Sequence, residues 1–309
     1  MIPHIAVLLL GGLTLMGCGS GSSSGQGPAA ELPSPMKSYS GFLAASEFVV
    51  GVNRFPFGLV DVNGDFLEGA AVNVSFSLAE GDVEALKTEA VAHWRTIPAY
   101  SLHVHEDGKQ HRHLEFRGIY VVDEVELPKA GVWIADFWVL AAGNSSPKIN
   151  EAAFRVITKS NAPAIGSRVP ATKNLTINDA PFVELSTRRV ERDELHNVSV
   201  AAARDAGRPF VVAFASPQFC GSAMCGPVLE IVDDAREALG GEIEFIHIEP
   251  WGLINAREQG QLSQSAAALE WHLPSEPWVF VVDSDGRVSA KIEGLATLDE
   301  IVNAVREVL

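Results

Sequence analysis

Apolar and polar residues alternate along the first half of the chain and group at helical spacing along the second. Between about Phe42 and Thr158 the runs are short and separated by turns. Glu47–Arg54 is one run, Phe57–Val62 precedes the turn Asn63-Gly64-Asp65, and Ala71–Leu78 alternates strictly. Gly118–Leu127, Gly131–Leu140 and Glu151–Ile157 complete the set. Successive side chains of a strand point to opposite faces, so a period of two predicts strands with one buried face. From about residue 180 the pattern changes. Val190–Ala206 is expected to be helical, with Leu195, Val198, Ala202 and Ala203 on one side and Gly207 as its stop. Phe210–Phe214 is apolar throughout, which predicts a strand buried on both faces. Val228–Leu239 reads as a helix closed by Gly240-Gly241, Ile243–Ile248 as a strand and Gln261–Trp271 as a further helix. Trp278–Asp283, the turn Ser284-Asp285-Gly286 and Arg287–Ile292 predict a hairpin. Thr297 and Glu300 have capping-box spacing and open a last helix carrying Ile301, Val302, Val305 and Leu309.

These patterns predict two domains. Residues 41–159 are expected to form an all-β, immunoglobulin-like sandwich. It contains no cysteine and hence no intersheet disulfide. Trp94, Trp133 and Trp138 are expected in its core, and Asn53–Gly58 is read as a strand bulge in preference to a partner surface. Residues 160–179 are polar with scattered Pro and Ala and read as a linker; residues 180–309 form an α/β domain.

The N-terminus sets the expected compartment. Ile5–Gly17 is a run of thirteen mostly apolar residues, short of the ~20 that a helix needs to cross a bilayer. That length fits the apolar region of a signal peptide. Leu15-Met16-Gly17-Cys18 resembles a bacterial lipobox, which implies a leader over residues 1–18 and lipidation of Cys18. Residues 19–40, rich in Gly, Ser and Pro at their start, read as a flexible tether. The expected location is the bacterial cell envelope, lipid-anchored and extracytoplasmic, with membrane contact through the anchor. The chain carries 39 acidic and 23 basic side chains, a net charge of −16. That argues against nucleic acid as a partner, because phosphate binding needs clustered positive charge.

With Cys18 assigned to lipid, two cysteines remain, Cys220 and Cys225. They lie in a loop between the apolar strand Phe210–Phe214 and the next helix. An exported domain keeps disulfides, so the pair is a candidate redox site. The order strand, dithiol, helix, strand, helix, hairpin, helix resembles the thioredoxin superfamily over roughly residues 180–309. The Cys pair at the strand-to-helix turn, Glu276-Pro277 before the strand Trp278–Asp283, and the closing hairpin and helix carry the resemblance. It implies a cis Pro277 facing the dithiol, and thiol–disulfide exchange with Cys220 attacking and Cys225 resolving. Its partners would be exported protein disulfides or a membrane redox protein. The whole layout is similar to uncharacterised bacterial thioredoxin-like lipoproteins.

One departure stands out. Thioredoxin has two residues between its cysteines, and this chain has four, Gly221-Ser222-Ala223-Met224. If the helix began at Gly221, five positions would rotate by ~500° and the thiols would not share a face. If Pro227 were the first helical residue, as proline prefers, the cysteines would bracket a loop free to close, and this second arrangement is favoured. Other readings stay open. The pair could be a structural staple without turnover, which would leave a non-catalytic scaffold. A peroxidase would need an arginine near the thiolate, where this chain has Ser275–Trp278. Copper delivery of the Sco type would add a distant histidine, His247 or His272, to the two thiolates.

The first domain offers a second candidate. Leu102–His113 contains two His-x-His pairs around Gly108: His103 with His105, and His111 with His113. If the two segments pair as a hairpin, four imidazoles could converge on Zn or Cu. The alternative is a solvated polar hairpin whose histidines never meet. No other cofactor is expected.

Overall fold

The computed structural model describes residues 39–79, 87–104, 109–139 and 148–309. The expected leader, tether and Cys18 lie outside them. Among the described residues no helix is long and apolar enough to cross a membrane.

Eight strands build the first half. They are β1 (Tyr39–Leu43), β2 (Phe48–Val49), β3 (Gly51–Asp61), β4 (Val72–Leu78), β5 (Lys87–Val104), β6 (Gln110–Leu127), β7 (Gly131–Val139) and β8 (Lys148–Ile157). They hydrogen-bond in the order β1-β3-β6-β5-β4-β7-β8-β2. This is one continuous curled sheet, where a sandwich of the immunoglobulin type keeps two. The long strand β5 makes the turn. Its first part pairs with β4, up to Ala92 opposite Val72, and its remainder pairs with β6, from His93 opposite Val121.

The curl closes on an aromatic core. Phe48, Phe55, Phe57, Phe76, Tyr120, Trp133 and Phe137 are essentially inaccessible to solvent. Alternation explains the choice of residues: Val72, Val74, Phe76 and Leu78 of β4 all point inward. Trp133 is buried as expected, whereas Trp94 and Trp138 are half-buried. Phe55 and Phe57 are core residues, and the pairing of β3 with β6 shifts register between Asn53 and Phe55, as the bulge reading requires.

The second half is a mixed α/β layer of thioredoxin-like topology. Its sheet has the order β10-β9-β11-β12, from β9 (Phe210–Phe214), β10 (Glu244–Ile248), β11 (Trp278–Val282) and β12 (Val288–Glu293). β9 and β10 run parallel, and β11 is antiparallel to both its neighbours. One face, with Val211, Ala213, Val279 and Val281, packs on α3 (Cys225–Ala238) and α6 (Leu298–Arg306). The other face, with Phe210, Val212, Phe214 and Phe280, packs on α2 (Val200–Asp205) and α5 (Ala266–Glu270). The predicted capping box opens α6: Glu300 N–H donates to the Thr297 hydroxyl, and the Glu300 carboxylate accepts the Thr297 N–H.

Two helical expectations need correction. Within residues 190–206 the chain forms a 3₁₀ turn (Asp193–His196) and then α2, with a break between them. Ser199 restarts the chain there as an N-cap, its hydroxyl accepting from Ala202 N–H. Residues 261–271 contain only α5, capped by Ser265 in the same way. A helix absent from the expectation, α4 (Leu253–Gln259), precedes it and ends at Gly260 in the left-handed conformation. One short helix, α1 (Phe182–Leu185), precedes the 3₁₀ turn.

The two halves share a core. Ile97 of β5, with Ile119 and Val121 of β6, packs in one cluster with Val228, Leu229 and Val232 of α3 and Ile301 of α6. Between Ile119 and Val122 β6 is therefore buried on both faces, Tyr120 and Val122 toward the aromatic core and Ile119 and Val121 toward α3. Residues 160–179 lack a regular element but pack closely: Ala162, Val169, Thr172 and Thr176 are buried, and Gly166, Ser167 and Val169 exchange backbone hydrogen bonds with the β11–β12 hairpin. Gly294 sits where the halves meet, at φ +75°, and a Cβ there would collide with the Ala44 carbonyl oxygen.

Candidate redox site

β9 delivers the chain to the site. After Phe214 the backbone turns at the fully buried Ser216, whose carbonyl accepts from Cys220 N–H. Cys220 and Cys225 are joined by a disulfide, with Cα atoms 6.1 Å apart. Cys225 is the first residue of α3 after its N-cap Met224, two residues earlier than the favoured reading placed the start. Pro227 is the third residue of the helix, still among the N–H positions that have no intrahelical acceptor, so its ring costs no hydrogen bond there. The cysteines do bracket a loop. Gly221, Ser222 and Ala223 are exposed, and Ala223 takes φ +58°, a region that a residue with a Cβ rarely occupies.

The two sulfurs differ in setting. Cys220 is half-buried, with Sγ 3.3 Å from the Ser222 hydroxyl, and Cys225 is fully buried. Being at the first turn of a 14-residue helix, Cys225 lies in the positive end of its dipole, which favours a thiolate.

The Glu276–Pro277 bond is cis and Pro277 is buried. Glu276 brings a carboxylate oxygen to the pair: it and the two sulfurs lie within 4.8 Å of one another. Its Oε2 accepts Ser216 N–H at 2.8 Å and its Oε1 accepts the Trp251 indole N–H at 2.7 Å. With its sulfurs bonded to each other, this cluster has no thiolate to offer a metal.

Beneath it lies a second acid. Glu249, just past β10, is 5 % exposed. Its Oε1 accepts the backbone N–H and the hydroxyl of Thr187, and Ser216 lies on its other side. Burial, together with the nearby Glu276 charge, pushes its carboxyl up to about 7 despite those bonds. Glu276 is also raised, by burial. No cation is bonded to either carboxylate among the described residues.

A buried histidine pair completes the floor. His247 Nε2 donates to the Ala215 carbonyl at 2.8 Å, and its Nδ1 is 3.1 Å from His196 Nε2. His196 Nδ1 in turn faces the Arg192 carbonyl at 3.1 Å. Carbonyls at both ends leave three gaps for the two protons of two neutral imidazoles, so one gap lacks a proton unless the pair is charged. Burial pushes both rings below their ordinary value, His247 strongly, which keeps the pair neutral at pH 7.

The expected residues fall into two places. Cys220 and Cys225 are bonded to each other, and Glu276, the residue before Pro277, brings its carboxylate to them. His247 is held by Ala215 and His196, and His272 is exposed at φ +51° just before β11; neither joins the sulfurs. In the β-rich half, backbone pairing sets His103 opposite His111, and His113 opposite Ser101. His105 lies outside the described residues. Glu276 was passed over in the sequence. Its signal was position, since whatever precedes a cis proline in this layout faces the dithiol. Glu249, in Glu249-Pro250-Trp251, reads in the sequence as a solvated strand end in preference to a carboxylate near the dithiol, and the structure buries it instead; His196 gave no signal.

No protein-family model matches the chain, and no curated protein sequence matches it. Among solved structures it is similar to a thiol:disulfide interchange protein of the thioredoxin family from Chlorobium tepidum TLS. That likeness has 16% identity and a TM-score of 0.33, over 48% of this chain and 99% of the other. It is also similar to a DUF4466 family protein from Parabacteroides merdae, at 10% identity and a TM-score of 0.17, over 85% of this chain and 96% of the other. The thioredoxin-like description of the second half rests on its strand order, its helices and the cis Pro277.

Proposed function

We propose that this chain is an extracytoplasmic, lipid-anchored thiol–disulfide exchange protein. The observation that carries the reading is the Cys220–Cys225 disulfide, closed at the N-terminus of α3 with the Glu276–Pro277 cis bond beside it. Cys220, half exposed in a loop, is the attacking sulfur on exported protein disulfides or a membrane redox partner, and Cys225, buried behind it, resolves the mixed disulfide. Anchoring through Cys18 would hold the domain at a membrane surface. The β-rich half serves as a support and takes no part in the exchange.

The test is the reduction potential of the pair, measured in glutathione or dithiothreitol buffers. A value above about −300 mV supports turnover. A value well below it, with no exchange against glutathione, would leave an inert staple.

A second reading concerns the β-rich half alone. The register that sets His103 opposite His111 favours Zn or Cu binding by the β5–β6 hairpin with His105 and His113. Metal content of the purified protein, with His103 and His111 replaced in turn, tests it; metal content unaffected by either replacement rules it out.

A further inference from the structure

We propose that Glu276 is the proton acceptor and donor for the Cys225 sulfur during exchange. This rests on the reading of Cys220–Cys225 as an exchange site. Cys225 is fully buried, so its thiol has no bulk water to take a proton, whereas Cys220 is partly open to solvent. β9 beneath it is apolar from Phe210 to Phe214 and supplies no acid or base. His247 spends both ring nitrogens on Ala215 and His196. Glu276 has the carboxylate oxygen that approaches both sulfurs. Ser216 N–H and Trp251 Nε1–H occupy one lone pair on each of its oxygens and fix the group, leaving a second lone pair on each for a proton. The oxygen and the sulfurs lie within 4.8 Å of one another, a span that a single water bridges for proton transfer.

The chemistry balances as follows. The Cys220 thiolate attacks a substrate disulfide; one substrate sulfur leaves as a thiolate and a mixed disulfide forms. Cys225 then gives its proton to Glu276, and its thiolate attacks the Cys220 sulfur. The Cys220–Cys225 bond forms, the mixed disulfide breaks, and the second substrate thiolate leaves. The protein loses two electrons and the substrate disulfide gains them. In reverse, Glu276 returns the proton to Cys225 as it is released.

A proton carrier works best when its own affinity lies near the working pH. Burial raises Glu276 toward that range. The groups facing Glu276 are the two sulfurs from the Cys220 loop and α3, the Glu249 carboxylate past β10, and the uncharged donors Ser216 and Trp251. Burial holds Glu276 back from becoming a permanent anion, and its charge in turn raises Glu249.

The experiment uses the reduced full chain and oxidised glutathione as the disulfide, with the two steps followed separately. Cys225→Ser stops the reaction at the mixed disulfide and reports the first step. Glu276→Gln should leave that step within about threefold. It should slow resolution at pH 6 by about 10²-fold, with the deficit shrinking as pH rises and Cys225 ionises unaided. Glu276→Asp should recover part of the rate. Unmutated protein provides a check that does not depend on folding of a variant. Its resolution rate should follow two titrations, one in the carboxyl range and one at the thiol. Resolution in Glu276→Gln at the wild-type rate and pH profile, or a single thiol titration in the unmutated protein, overturns the proposal and leaves the exchange reading standing. A wild-type pair that never exchanges with glutathione overturns both.

Discussion

Two of the places where the described residues shelter carboxylates do it in opposite ways. Glu47, at the junction of the halves, has a side chain only 1% exposed. It accepts from the Ser160 hydroxyl and the Asn161 and Ala162 N–H groups, and Lys291 Nζ is 3.0 Å away. Burial pulls its pKa up, but Ser160 and the Lys291 charge outweigh that, and the group ends below the usual carboxylate value. Glu249 and Glu276, under the disulfide, accept neutral donors and face each other with no bonded cation, and both end above it. Burial alone does not decide the protonation of a carboxyl; the charges supplied around it do. The first arrangement is a fastener, since a permanently charged group with every oxygen engaged has nothing left to exchange. The second holds protons that are free to move.

The sharpest way to break this contrast is Glu47→Ala. It removes the Lys291 ion pair and the acceptor of the Asn161 and Ala162 N–H groups at the junction, leaving Lys291 only the Ser160 hydroxyl and the Trp278 ring. A loss of about 3 kcal/mol is expected, read as a fall in the urea midpoint without a change in slope. A loss below about 1 kcal/mol would show that the junction is not a fastener.

The pH dependence comes next and has opposite signs at the two places. For Glu249 the folded value, about 7, lies above the ordinary 4.5. Its contribution is fully present below about 4.5 and is lost as pH rises to about 7, on the order of 3 kcal/mol in total. For Glu47 the folded value is lowered, so its contribution is present above the ordinary 4.5 and is lost as pH falls through the folded value. Glu249→Gln should therefore flatten the fall in stability between pH 5 and 7 and leave the acid limb in place. Denaturant melts across pH measure both limbs; an unchanged slope between pH 5 and 7 would contradict the raised carboxyl.

The disulfide should matter less to stability than the acids around it. Replacing both cysteines by serine opens a loop with a sequence separation of 5, and loop entropy puts the loss at about 2 kcal/mol. Reduction of the native protein should produce the same shift in midpoint. A much larger shift would make the pair a staple first and a reagent second.

The smallest effect is expected at the second fastener. Arg54 of β3 donates to Glu300 of the α6 capping box at 2.9 Å and to the Leu295 carbonyl, but its Nη1 is buried without a partner. Arg54→Met removes the pair and the stranded nitrogen together, so the net loss should be about 1 kcal/mol. A loss as large as that of Glu47→Ala would place the main fastening of the halves at α6.

Much of this was legible in the sequence. The wholly apolar Phe210–Phe214, the hairpin after Trp278 and the Thr297/Glu300 spacing each fixed an element, because in each a local rule and the tertiary position agree. The dithiol was equally plain, as two cysteines in one turn. The short helices were not, since Ser199 and Ser265 restart the chain inside stretches whose apolar spacing runs through. The closure of one curled sheet was missed for a related reason. Ile119-Tyr120-Val121-Val122 is apolar at four consecutive positions, which alternation cannot explain for a strand with a wet face. The run was a sign that another layer covers β6. The acid pair was hidden: Glu249 at a strand end reads as solvated, and its burial and protonation depend on Thr187, 62 residues upstream, and on Glu276, nearer but still distant in the chain.

That covered strand has a consequence for how the chain is made. Synthesis proceeds from the N-terminus, so Ile97, Ile119 and Val121 leave the ribosome long before the helices that shield them. About 185 residues separate Val121 from the end of α6 at Arg306, which at about 5–20 residues per second is roughly 10–40 s of translation. For that interval the β-rich half carries a greasy outer strip with nothing to lay on it. A nascent or truncated chain ending near residue 160 should therefore be sticky, and should need a holding chaperone that the finished protein does not.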